Sequence, residues 1–444
     1  MYSPEIESLL KSKKIKPGDR VGVSTKAAVY EGLLMPRIEF GDPSSLVLKL
    51  DSGYNIGIKF GKDVRIKKFP EKKKLERFPA LKLRAVANLP KISLLATGGT
   101  IASRVDYVTG GVKMASTPQE ILFAVPELNE IASLKKVKLL FNFASEDLWY
   151  NHWQEMAEEA AKEINSGARG VIITHGTDTM HFSSAALSFM LRDLSKPVVF
   201  TGSQRSSDRG SSDAKMNLVC SARVAGYSGI AEVGVCMHAS ENDDFCNFIR
   251  GTKVRKMHST ARNAFKPINE SPLAKIYPEG RIEITNSNYQ KVSDRKVKPD
   301  TKFEPNVALV KVYPGSKPNI INFLINEGIK GIVLEGTGMG HVPTQTAEPS
   351  MSWIPAIQKA INSAVPIVVT TQTIYGRTNQ LVYKNLRILA KTGAIFAEDM
   401  LPETAYVKLG WVLGHENKMD KIREIMLTNI AGEISERTAV EENE

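Results

Sequence analysis

At 444 residues the chain is too long for one ordinary core, and with 42% hydrophobic and 24% charged residues it is globular rather than fibrous or disordered. Cys220, Cys236 and Cys246 form neither an even disulfide set nor a Cys-x-x-Cys motif, and no apolar run approaches the roughly 18 residues of a membrane span. Reduced, buried thiols in a cytoplasmic chain with no membrane contact are expected, since Met1 to Ile15 lacks the apolar core of a secretion signal.

The net charge of +11 is unevenly spread: residues 1–90 hold 19 Lys/Arg against 10 Asp/Glu, and the remainder 40 against 38. The basic character therefore belongs to the N-terminal fifth, densest from Lys67-Lys68 to Lys72-Lys73-Lys74. Such a segment attracts nucleic-acid phosphates or serves as a solvated linker, and charge alone does not separate the two.

Residues 17–70 read as a small β module, with short Val/Ile/Leu-rich runs at 20–23, 29–34, 46–50 and 55–59. Asp51-Ser52-Gly53-Tyr54 joins two of them as a hairpin turn would. The length fits an SH3-like or Sm-like barrel, giving a small all-β domain over 1–70 and a charged linker over 71–90.

From residue 91 strands alternate with helical periodicity. Apolar runs at 91–96, 171–174, 197–201 and 230–238 are interleaved with amphipathic stretches at 152–164 and 183–194. That alternation predicts an α/β domain over 91–288 with a mainly parallel sheet covered on both faces. The polar stretch 289–305 reads as a linker to a second α/β domain over 306–432, with strands at 307–312, 331–335 and 367–371, followed by a frayed acidic tail, 433–444. Glu335-Gly336-Thr337-Gly338-Met339-Gly340-His341 lacks the Lys-Ser/Thr of a P-loop and reads as a sharp strand-to-loop turn.

Two loops carry the chemistry: Leu95-Ala96-Thr97-Gly98-Gly99-Thr100-Ile101-Ala102-Ser103 and Thr174-His175-Gly176-Thr177-Asp178-Thr179-Met180. Each follows a strand, at the carboxyl end where ligands of parallel sheets bind, and each has glycines that let the backbone turn beneath a substrate. Amide hydrolysis needs a nucleophile, a base, a proton donor for the leaving nitrogen and oxyanion donors, and threonine with lysine and aspartate supplies that set. The seven histidines have no metal-ligand spacing, so no metal or organic cofactor is expected, and His175 reads as a structural residue of its loop.

The order and distance of these loops, with Thr201-Gly202-Ser203-Gln204-Arg205-Ser206, Ser211-Ser212-Asp213-Ala214-Lys215-Met216-Asn217-Leu218 and Lys256, resemble the bacterial-type L-asparaginase and glutamine-amidohydrolase family across residues 91 to about 430. The resemblance implies Thr100 as acyl-accepting nucleophile with Tyr107 on a closing loop, and Thr177, Asp178 and Lys256 as a proton-moving set. Thr177 as nucleophile stays open at this point, as does the choice between Lys256 and its neighbour Lys253. For substrate holding it implies Asp178 for the α-ammonium, Ser145 and the main chain at Gly99 and Gly176 for the α-carboxylate, and Glu146 as a second acceptor. Ser145 and Glu146 read equally as helix-capping residues.

The basic β module at the front departs from ordinary members of that family. A body with such a module resembles the ammonia-releasing chains of archaeal tRNA-dependent amidotransferases. That narrower resemblance implies glutamine as substrate, a separate kinase/transamidase subunit that uses ATP and Mg, and tRNA(Gln) reached through the complex. It also implies a homodimer within a heterotetramer, and the front module touching either RNA or the partner. A free-standing asparaginase, and an RNA-binding protein with a silent body, are the competing expectations.

Overall fold

The computed structural model describes residues 2–36, 42–52, 54–70, 88–99, 104–105, 112–113, 125–205 and 211–437. Thr100, Tyr107, the Lys72–Lys74 run and most of the 71–90 stretch lie outside these residues.

The front module is an antiparallel sheet of β1 (Arg20–Ser24), β2 (Val29–Leu34), β3 (Ser45–Leu50), β4 (Asn55–Lys59) and β5 (Arg65–Lys68), ordered β4-β3-β2-β1-β5. Alternation drives it: Val21, Val23, Leu34, Leu46, Leu48, Ile58 and Ile66 point into one small core. Two further parts of the module have little apolar pattern to announce them. Helix Pro4–Ser12 closes the core with Ile6 and Leu10, its start capped by Ser3, and β5 is a basic strand with a single buried apolar residue.

The first α/β domain is built on an eight-stranded sheet. Its parallel part is β6 (Lys91–Ala96), β9 (Ser133–Leu139), β10 (Gly170–Thr174), β12 (Val198–Thr201) and β13 (Val233–His238). Antiparallel β14 (Cys246–Arg250), β17 (Ala274–Ile276) and β18 (Ile282–Ile284) extend one side, so the sheet is mixed. The order across it is β18-β17-β14-β13-β12-β10-β6-β9. Helices Tyr150–Asn165, Met180–Met190 and Ala214–Tyr227 cover it, and Cys220, Cys236 and Cys246 are buried free thiols. The pairs β7 (Arg104–Val105) with β8 (Val112–Lys113), and β15 (Val254–Lys256) with β16 (Phe265–Pro267), are separate short hairpins.

The second α/β domain is a parallel sheet of β20 (Val307–Lys311), β21 (Gly331–Gly336), β22 (Ile367–Thr371) and β23 (Ile395–Phe396). After β21 the chain turns back within five residues, bridging Thr337 to His341 with Gly338 and Gly340 at positive φ, which is the sharp turn the sequence suggests. Helix Pro402–Leu413 packs both on this sheet and on helix Met180–Met190, joining the two domains through one continuous apolar core.

Two segments depart from what the sequence leads one to expect. The stretch 289–305 is strapped to the first domain: β19 (Lys298–Pro299) pairs with β11 (Leu191–Arg192), and Asn165 exchanges hydrogen bonds with Val297 at 2.9 Å. The acidic tail is not frayed at its first residues. Glu433 is fully buried, lies 2.6 Å from the equally buried Lys408, and accepts from the Ile430 and Ala431 amides. An ammonium fixed in the core requires a counter-ion, so the chain is held at Glu433, where composition alone predicts fraying.

Candidate active site

Strands β6 and β10 are parallel neighbours in register, Ala96 beside Thr174, so the loops that follow them leave the sheet at one end, side by side. Thr97 is tied across to Thr174, its amide and its hydroxyl both donating to that carbonyl at 3.0 and 2.9 Å. Gly99, the residue before Thr100, has φ +85°, and a Cβ there would sit 2.6 Å from the Gly176 nitrogen. A Cβ on Gly176 would in turn meet Ser145 Cβ and Oγ at 2.8 and 2.9 Å. Gly99 is thus packed backbone to backbone on Gly176, and Gly176 against the Ser145 side chain, so each glycine is required by a close approach.

The second loop presents Thr177 and Asp178. Lys256, on β15, donates from Nζ to Thr177 Oγ1 at 2.9 Å and to Asp178 Oδ1 at 2.6 Å. Thr177 and the Lys256 side chain are largely buried, whereas the Asp178 side chain is 66% exposed. The hydroxyl and the amine therefore meet in a sheltered place while the carboxylate keeps a face free for another cation. Lys253 is elsewhere: it is fully buried and paired at 2.5 Å with Asp399, also buried, so only Lys256 of the two reaches the threonine.

His175, between the strand and Gly176, lies beneath the loop. Its Nδ1 contacts the Gly176 carbonyl at 2.6 Å, and burial pushes its pKa down to about 4. A neutral ring donating to that carbonyl fixes the loop, in keeping with a structural role. Ser145 opens a short 3-10 turn, Ser145–Asp147, and its carbonyl accepts from Thr179 Oγ1 at 2.7 Å. The capping alternative does not hold. Neither that turn nor helix Tyr150–Asn165 has a side-chain cap from Ser145 or Glu146, and the long helix is closed instead by His152 Nδ1 accepting from the Trp149 amide at 2.9 Å. Glu146 is exposed beside Ser145.

Several further residues, beyond the candidates, surround the site. Arg255, next to Lys256, lies 3.1 Å from Glu403 on helix Pro402–Leu413 of the second domain. Glu403 is 4.0 Å from His181, a buried ring whose pKa falls to about 3 through burial and the neighbouring Arg255 and Lys256. Burial raises the Glu403 carboxyl, and Arg255 counters it. Asp213, fully buried, accepts from the Gln204 and Arg205 amides and from Asn217 Nδ2, shaping the loop after β12. Asp213 and Asn217 lie within the Ser211 to Leu218 motif, four residues apart on one helical face, which is the signal available for them. Glu403 has no such signal, because its partners are more than 140 residues away in sequence.

Among the described residues no group of three or more His, Cys, Asp or Glu is arranged to hold a metal, and no helix is long and apolar enough to cross a membrane.

This architecture has relatives. Residues 91–290 match the asparaginase N-terminal family, residues 306–426 the glutaminase/asparaginase C-terminal domain, and residues 15–68 the GatD N-terminal domain. Over 440 residues, 98% of each chain, the sequence is 50% identical to the GatD chain of glutamyl-tRNA(Gln) amidotransferase from Pyrococcus abyssi. It is 41% identical to the chain of the same name from Methanopyrus kandleri, over 98% of this chain and 94% of that one. Among solved structures, the thermostable L-asparaginase from Thermococcus kodakarensis superposes with a TM-score of 0.69 at 30% identity, covering 78% of this chain and all of that one. L-asparaginase I from Vibrio cholerae gives 0.66 at 27% identity, over 78% and 99%.

Proposed function

The chain belongs to the GatD family of glutamyl-tRNA(Gln) amidotransferase chains, and on that premise we propose that it hydrolyses glutamine to supply ammonia for converting Glu-tRNA(Gln) to Gln-tRNA(Gln). A separate kinase/transamidase subunit, using ATP and Mg, activates and amidates the glutamyl-tRNA. This chain itself binds no cofactor and pairs with a second copy in a heterotetramer.

The observation that carries the chemistry is the contact of Lys256 Nζ with both Thr177 Oγ1 and Asp178 Oδ1 at the end of β10. Thr100 attacks the side-chain amide carbon of glutamine, and its proton is relayed through Thr177 and Lys256. The tetrahedral oxyanion collects main-chain N–H donors from the glycine loops. The C–N bond breaks as the proton is returned to nitrogen, ammonia leaves, and water hydrolyses the threonyl ester to glutamate. Tyr107 assists Thr100 through its phenol. Asp178 receives the α-ammonium on its exposed face, and Ser145, with Glu146 beside it, borders the α-carboxylate pocket.

A second order of events has an observation in its favour: Lys256 touches Thr177 directly, which suits Thr177 as the attacking hydroxyl. Trapping the acyl-enzyme and mapping the modified threonine distinguishes the two. The overall reading is tested by kcat/KM on glutamine against asparagine. Preference for glutamine, with activity lost in Thr177→Ala, supports it, whereas a strong asparagine preference identifies a free-standing asparaginase.

A further inference from the structure

The front module bears a cluster of cations that the site does not use. Helix Pro4–Ser12 ends in a turn carrying Lys13, Lys14 and Lys16, all exposed. Strand β5 lies at the edge of the sheet, where Arg65 and Lys67, two residues apart, share the face opposite buried Ile66. The two segments are fastened together at one point. Lys68 Nζ donates to the Lys14 carbonyl at 3.2 Å and to Asp19 Oδ2 at 2.6 Å, and the Lys16 amide donates to the same carboxylate at 2.8 Å.

Asp19 is the carboxylate of this junction, and its side chain is 2% exposed and committed to Lys68 and the Lys16 amide. Lys13, Lys14, Lys16, Arg65 and Lys67 form no ion pair among the described residues. Five cations without such a partner therefore project from two adjacent segments. Protection of a sheet edge accounts for one or two basic residues on β5, and the helix dipole accounts for one at the helix end. Neither accounts for two such sets on segments held together at Lys68, and Lys72, Lys73 and Lys74 continue the run in the sequence.

We propose that this edge, the turn Lys13–Lys16 together with Arg65 and Lys67 of β5, is a binding surface for the phosphate backbone of RNA. The partner rests on the amidotransferase reading above, in which tRNA is part of the assembly. A like-charged array without counter-ions releases condensed cations from a polyphosphate when it binds, so the interaction is sequence-independent and salt-sensitive. The site at Lys256 stands on other residues and is not altered by it.

The test uses the full chain and a tRNA(Gln) transcript, with affinity measured across a salt series. The comparison is with a variant carrying Lys13→Gln, Lys16→Gln, Arg65→Gln and Lys67→Gln, each at an exposed position. Binding at low salt is expected to weaken at least about tenfold, and the slope of log K against log salt to flatten by about one for each phosphate interaction removed. Melting temperature and glutamine hydrolysis without RNA should not move. Unchanged affinity and slope would overturn the proposal. So would a variant that binds tRNA normally but no longer associates with the kinase/transamidase subunit in the absence of RNA, since the edge would then be a protein-docking surface. A chain that binds tRNA as expected yet hydrolyses only asparagine would instead overturn the ammonia-supply reading and leave this RNA surface standing.

Discussion

Arg255 lies 3.1 Å from Glu403, so the strand that carries Lys256 is tied to a helix of the other α/β domain. Lys256 reaches Thr177 from a three-residue strand in a short hairpin, which has little framework of its own. Glu403, buried and facing both Arg255 and His181, supplies that framework from outside. Replacing Glu403 with Ala is expected to lower kcat roughly 10- to 100-fold through misplacement of Lys256, with KM little changed. Steady-state kinetics on glutamine, with Glu403→Gln as the milder shape-preserving variant, check this. A rise in KM with kcat unchanged would assign Glu403 to substrate binding.

The two neighbouring lysines should separate cleanly. Lys256→Met is expected to cost roughly 10²- to 10⁴-fold in kcat while leaving the fold intact, because it removes the amine in contact with Thr177. Asp399→Asn strands the buried Lys253 ammonium and is expected to cost about 3–5 kcal/mol of stability. Chemical denaturation read beside activity distinguishes the two effects.

Acid sensitivity follows from the buried rings. The pKa of His175 is held at about 4 by burial and that of His181 at about 3, against an ordinary value of 6.5. Between those values the unfolded chain binds protons that the folded chain refuses, so stability is present above pH 6.5 and falls as the pH drops towards 4. At pH 5 each ring costs about 2 kcal/mol relative to neutrality. Urea midpoints at pH 7 and pH 5 should differ in the wild type and differ by less in His175→Gln.

The C-terminal segment gives a prediction opposite to its composition. Glu433→Ala leaves Lys408 buried without its counter-ion and should lower stability by about 3–5 kcal/mol, whereas Glu436→Ala, at an exposed position three residues on, should match the wild type. Melting curves of the two variants decide it.

What the sequence made legible is what local pattern records. Apolar runs located β6, β10, β12, β20, β21 and β22, and the glycines beside Thr100 and Thr177 marked the loops that β6 and β10 bring together. Strand β9 escaped because Lys135, Lys136 and Lys138 interrupt it. Those lysines pair with Glu159 and Glu163 of the covering helix; burial alone would raise the Glu163 carboxyl, but bonds from Lys135, Ser93 and Lys136 outweigh it and bring the pKa to about 2. Such pairs are long-range, as are Arg255 with Glu403 and Lys408 with Glu433, and periodicity contains no trace of them. The contact of Lys256 with Thr177 spans 79 residues and was legible only through resemblance to a family.

The most direct test of the ammonia-supply reading is ammonia release from glutamine by the purified chain, measured alone and then with the kinase/transamidase subunit, ATP and glutamyl-tRNA(Gln). Glutamine hydrolysis is expected to rise when partner and charged tRNA are added and to disappear in Thr177→Ala. Full hydrolysis by the chain alone, unmoved by partner, ATP or tRNA, would contradict it.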